Sequence, residues 1–170
     1  MSDEDTLCLS CGICCNGTLY GSVVIEPTER ERVERVGLRV LASDGGTELT
    51  MRQPCTALRG VLCSVYEDRP ASCARYECSL RKSVAAGGSL PEARATIERM
   101  HALLAIVRAG FECEPGASIW ERILNLESPT TAEEEQAAAV RYGPAIEAVG
   151  ELLVLGRAAF EPRFAGGGSR

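Results

Sequence analysis

The chain has 170 residues, 45% hydrophobic and 25% charged, proportions close to globular averages that exclude a wholly disordered chain. The formal net charge is −6, and acids outnumber bases in residues 1–82 (12 against 10) and in residues 83–170 (12 against 8), so neither half offers the basic surface that nucleic acid demands. There is no run of about 18 uncharged apolar residues and no basic, apolar signal before Cys8, so a cytoplasmic chain with reduced thiols and no membrane span is expected.

Residues 18–26 are β-branched and aromatic and predict a strand. Pro27 opens a short helix in which Thr28 and Glu31 have capping-box spacing, and Gly37 stops it. Residues 38–42 and 47–52 flank Asp44-Gly45-Gly46 as the arms of a hairpin. Between Pro54 and Cys78 the pattern is aperiodic, and loops with short helical turns are expected. Such a segment has little apolar surface to bury, so something else must hold it.

The second half changes character after the Gly87-Gly88 break. Ser89 and Glu92 predict the start of a helix whose face is Ala93, Ile97, Met100, Leu104 and Val107, ending at Gly110. A second helix starts at Ser118, with Ile119, Ile123 and Leu126 on one side. A third starts at Thr131, and Gly143-Pro144 is expected to break it before a last helix marked by Ile146, Val149, Leu153, Gly156 and Phe160. Residues 166–170 read as a disordered tail, and no internal repeat is present. The predicted architecture is α+β. A cysteine-rich, metal-stabilised module with short strands spans residues 1–82, and a helical hairpin or small bundle packed on it spans 83–165.

Nine cysteines are the departure from expectation, and eight of them lie in the 71 residues from Cys8 to Cys78. A single cysteine is often only a small buried hydrophobe. Eight at tight spacing, in a reducing compartment, read instead as metal ligands. Cys8 and Cys11 form a C-x₂-C knuckle, and Gly12 can adopt the positive φ that such a turn needs. Cys14 and Cys15 are adjacent, so their side chains diverge and serve different ions, or one of them bridges. Cys55, Cys63, Cys73 and Cys78 complete two sets of four, the closed arrangement of structural zinc. Interleaved sites, in which the later loop closes over the N-terminal knuckle, are preferred to sequential filling.

Iron or an iron–sulfur cluster is the alternative, because Cys8, Cys11 and Cys14 also make a C-x₂-C-x₂-C run. A tetrathiolate zinc site carries a charge near −2, which Arg69 and Arg75 stand close enough in sequence to offset. Tyr66 is expected to pack over the knuckle. Cys113 lies between two glutamates, a setting that disfavours a reactive thiolate, and is left out of the ligand set. His101, the only histidine, reads as a residue at the edge of an apolar helix face. Trp120 reads as core.

Taken together, Cys8-x₂-Cys11-Gly12-x-Cys14-Cys15, Cys55, and Cys63-x₂-Tyr66-x₂-Arg69-Pro70-x₂-Cys73 with Cys78 following resemble the YkgJ-like cysteine cluster proteins, the CxxCxxCC family of zinc- or iron-chelating domains. The resemblance covers Cys8 to Cys78 and implies a bacterial metal-chelating domain. A similar cysteine arrangement in flagellin lysine N-methylases implies a metal-dependent protein-modifying enzyme as one alternative. The expected function is binding of zinc, two ions in all-cysteine sites, in a structural or metal-handling role without catalysis by the metal. The alternatives are an iron–sulfur redox protein, the modifying enzyme, and an interaction module that docks a protein partner through its helical half.

Overall fold

The computed structural model describes residues 3–43, 46–114 and 117–160. A short helix, α1 (Asp3–Leu9), leads into the cysteine knuckle, an element that the sequence pattern did not announce. Strand β1 (Ser22–Ile25) is shorter than predicted, because the stretch before it turns: the Asn16 side chain accepts from the Thr18 amide at 2.9 Å. A 3₁₀ turn (Pro27–Glu29) and α2 (Arg30–Arg35) follow, as Pro27 led one to expect. The capping box does not form there. No side chain caps the turn or α2, and the Glu29 carboxylate instead accepts from Arg32 at 2.6 Å and from the Ala71 amide at 2.9 Å.

Strands β2 (Leu41–Ala42) and β3 (Leu49–Arg52) pair antiparallel, and β1 pairs with the other edge of β3, giving the order β1-β3-β2. The turn residues Asp44 and Gly45 lie outside the described residues. One face of this small sheet buries Ile25 and Met51 against Val33, Leu38, Val40, Cys55 and Ala57.

The aperiodic stretch contains a second hairpin, β4 (Leu58–Arg59) with β5 (Leu62–Cys63), and two short helices, α3 (Ala71–Arg75) and α4 (Ser79–Ala85). Helix α5 (Leu90–Gly110) begins where predicted, with the Ser89 hydroxyl accepting from the Glu92 amide at 3.3 Å, and α6 (Ile119–Leu124) is capped by Ser118 in the same way.

Helix α7 (Ala132–Phe160) corrects the sequence reading, because it runs unbroken through Pro144. An internal proline costs about 3 kcal/mol, through a lost amide bond and a crowded carbonyl. Burial opposes that cost on the following turns, where Ala145, Ala148 and Leu152 pack into the core that includes Met100, Leu103, Leu104 and Val107 of α5. The helices meet closely at Gly110, where a Cβ would stand 2.4 Å from that of Ala145. The predicted tail, residues 166–170, lies outside the described residues.

Leu7, Cys11 and Ile13 are buried in this helical core, so the first cysteine knuckle is built onto the second half of the chain. The fold is therefore α+β with two cores, one under the sheet and one between α5 and α7. No helix among the described residues is long and apolar enough to cross a membrane.

Candidate metal centre

A cavity of about 380 Å³ opens where the two cores meet, and all eight cysteines from Cys8 to Cys78 line it. Cys113 does not; it packs against the helical core. Each cysteine reaches the cavity from a local device. The end of α1 turns through Cys8 and Cys11, with the Cys11 amide donating to the Cys8 carbonyl at 3.3 Å. Gly12 then takes φ +65°, and the Cys15 amide closes the next turn on its carbonyl at 3.0 Å. The Cys55 amide donates to the Cys15 carbonyl at 2.8 Å and pulls the two segments together. Cys63 comes from β5, Cys73 from α3, and Cys78 is the N-cap residue of α4.

Backbone amides point at the sulfurs, as a thiolate site requires. The Ala57 amide donates to Cys55 Sγ and the Arg81 amide to Cys78 Sγ, both at 3.4 Å. The Ile13 and Val65 amides serve Cys11 and Cys63 in the same way.

Among the described residues, Arg69 and Arg81 are the only charged side chains lining the cavity, and its wall holds no carboxylate or histidine. Arg69 stacks over the Tyr66 ring at 3.7 Å and donates to the Tyr66 carbonyl. Tyr66 lines the cavity, with its hydroxyl 3.5 Å from Asp5 of α1. Arg81 was not anticipated. It is held by Asp5 at 3.5 Å and by Glu77 at 3.9 Å, and its side chain is 17% exposed. Arg75, expected to offset thiolate charge, does not line the cavity; it is 64% exposed and pairs with Glu26 at 2.8 Å. The sequence signal for Arg81 is its place three residues after Cys78, where the first turn of α4 folds it back beside the sulfur.

The aromatic wall was also missed. Tyr20 and Tyr76 meet edge to face at 5.4 Å, and the Tyr76 hydroxyl donates to the Phe160 carbonyl at 2.9 Å. Gln53, 8% exposed, lines the cavity with its side-chain carbonyl unpartnered among the described residues.

The thiols are difficult to ionise in this setting. Burial pushes Cys8, Cys55, Cys63 and Cys78 up, and Cys11 and Cys73 up to about 12. The neighbouring sulfurs add to the effect, and Arg69 and Arg81 oppose it. Cys14 and Cys15, with sulfurs 3.8 Å apart, share a hydrogen bond that holds Cys14 up and Cys15 down.

Eight soft donors with two arginines and a set of amide donors suit a thiophilic cation and not magnesium or calcium, which take oxygen. Among the described residues no three histidine, cysteine or carboxylate side chains are drawn together tightly enough to hold an ion. The thiols converge on one space, and a bound cation would have to gather the sulfurs in and displace their protons.

A family model described as "CxxCxxCC: Putative zinc- or iron-chelating domain" matches residues 7–99. The match extends past Cys78, where the resemblance read from the sequence stopped, through α4 and into α5. No curated protein and no solved structure matches the chain.

Proposed function

The chain belongs to the CxxCxxCC family of zinc- or iron-chelating domains, and on that premise we propose that it binds two zinc ions in sites made only of cysteine, which hold the irregular first half together. The observation that carries this reading is the sorting of the nine cysteines: eight line one cavity and the ninth lies outside it. Four thiolates leave a tetrahedral ion no open position, the pattern of a structural or metal-handling site more than of a catalytic one. Such an ion contributes on the order of 10 kcal/mol in small domains, enough to decide whether loops fold.

Protein purified without oxygen should contain about two zinc ions per chain by elemental analysis. One observation favours an iron–sulfur reading instead: Cys8, Cys11 and Cys14, with a distant fourth cysteine, have the spacing of cluster ligands. Visible charge-transfer absorption together with acid-labile sulfide would replace zinc with a cluster.

A further inference from the structure

The cysteines divide by the core that anchors them. Cys11 is buried in the helical core, and Cys78 packs against that core. Cys55 is buried in the sheet core, with Cys15 and Cys73 packed against it. Cys8 lies on α1, which packs on α4 and α5. Cys63 pairs with Leu58, and Leu58 and Val65 pack against the sheet core.

From this division we propose that the centre is two interleaved four-sulfur sites, one from Cys8, Cys11, Cys14 and Cys78 and the other from Cys15, Cys55, Cys63 and Cys73, meeting at the Cys14–Cys15 contact of 3.8 Å. The proposal rests on the metal-binding reading above and deepens it. The two side chains do not diverge as their adjacency led one to expect; their sulfurs stand 3.8 Å apart, and this vicinal pair is where the two four-sulfur sites meet. Two-cluster ferredoxins distribute a run of cysteines in the same way, with the fourth ligating the other cluster.

The backbone agrees with the assignment. The Cys15 carbonyl is held by the Cys55 amide on the sheet side, whereas α1, which carries Cys8, packs on α4 and α5. Sequential filling would draw Cys78 away from the helical core it packs against and separate Cys15 from Cys55, the residue whose amide its carbonyl accepts. Under interleaving each ion ties the N-terminal knuckle to a segment at least forty residues away in sequence, from Cys15 to Cys55 and from Cys14 to Cys78. The two ions therefore have different structural duties: one fastens α1 to α4, and the other fastens the knuckle to the sheet, the β4–β5 hairpin and α3.

The full chain loaded with cadmium-113 tests this directly, through correlations between each cadmium resonance and the cysteine β protons. Two resonances are expected, one connected to Cys8, Cys11, Cys14 and Cys78 and the other to the remaining four. Double variants give a second reading by cadmium content. Cys8→Ser with Cys78→Ser should retain one ion, whereas Cys73→Ser with Cys78→Ser should retain none. Sequential filling reverses those two results and overturns the pairing. Loss of both ions from every variant, with coupling between the cadmium nuclei, also overturns it in favour of one bridged cluster. Wild-type protein that takes up no cadmium would sink the metal-binding reading itself, a failure distinct from two ions with a different grouping. The correlations are recorded on the wild-type chain, so a misfolded variant cannot imitate either outcome.

Discussion

Gly12→Ala is the sharpest probe of how the knuckle and the β4–β5 hairpin assemble. Gly12 sits at φ +65°, where a residue with a Cβ costs about 1–2 kcal/mol. The added carbon would also stand 2.9 Å from the Val61 carbonyl oxygen and 3.0 Å from Val61 Cα, and backbone atoms cannot swing aside as a side-chain tip can. Overpacking of that kind adds about 1–3 kcal/mol. Gly60→Ala is the matched control, because Gly60 has φ +62° and a methyl added there would meet nothing within 4 Å. The backbone cost and the entropic gain in the unfolded chain are then common to both variants. Their difference isolates the contact with Val61, about 1–3 kcal/mol, which for a chain of this size is a gap of roughly 3–10 °C in Tm. Thermal melts of the metal-loaded protein measure it. Equal losses from the two variants would refute the claim that the hairpin closes directly onto the knuckle, and with it the argument for how Cys63 reaches the cavity.

Three further outcomes follow from the site. Cys113→Ser should leave metal content at the wild-type value by elemental analysis, whereas Cys8→Ser and Cys73→Ser should lower it; equal loss from all three would defeat the ligand assignment. Arg81→Met should weaken zinc binding about ten-fold in competition with a chromophoric chelator, since it removes a mostly buried cation beside Cys8 and Cys78, while Arg75→Met should leave it unchanged. The metal-free and loaded proteins should respond to pH in opposite senses. Where Cys11 and Cys73 stay buried without metal, their thiols are raised from 9.0 to about 12, so their contribution to stability is complete below pH 9 and is lost as pH climbs towards 12. Loaded protein loses its ions on the acid side, as protons reclaim thiolates. Urea unfolding of both forms across that range checks the signs, and parallel curves would contradict them.

What the sequence made legible was what depends on neighbours along the chain. Ser89 and Ser118 cap their helices because the hydroxyl and the receiving amide are three residues apart. Thr28 had the same spacing and failed, because it lies inside the 3₁₀ turn Pro27–Glu29 and stands at the N-cap of neither that turn nor α2. Pro144 carried a correct local penalty that packing against α5 overrode. The ligand candidates could be named because eight thiols at tight spacing are far more than core packing calls for, and those eight are the cysteines that line the cavity. Choosing the counter-charges was harder. Arg75 lies two residues from Cys73, closer in sequence than Arg81 lies to any cysteine, yet α3 turns Arg75 outward to Glu26, while α4 keeps Arg81 beside Cys78.

The role of the helical half follows from hydrogen-bond accounting. A loop buried without regular structure must still satisfy its carbonyl groups. His101 Nε2 donates to the Cys11 carbonyl at 2.8 Å, and Trp120 Nε1 donates to the Thr18 carbonyl at 2.9 Å. Both donors come from helices about a hundred residues further along, α5 and α6, and both acceptors flank the vicinal cysteines. In return Tyr76, between Cys73 and Cys78, donates to the Phe160 carbonyl at the end of α7, one of the groups that a helix terminus leaves unpaired. The sole histidine and the sole tryptophan, the latter packed against the helical core as expected, thus hold the ligand loop in place through its carbonyls. Residues after the cysteine run are the frame on which the knuckle is set, which gives a physical reason for the family match to continue beyond Cys78 into α5.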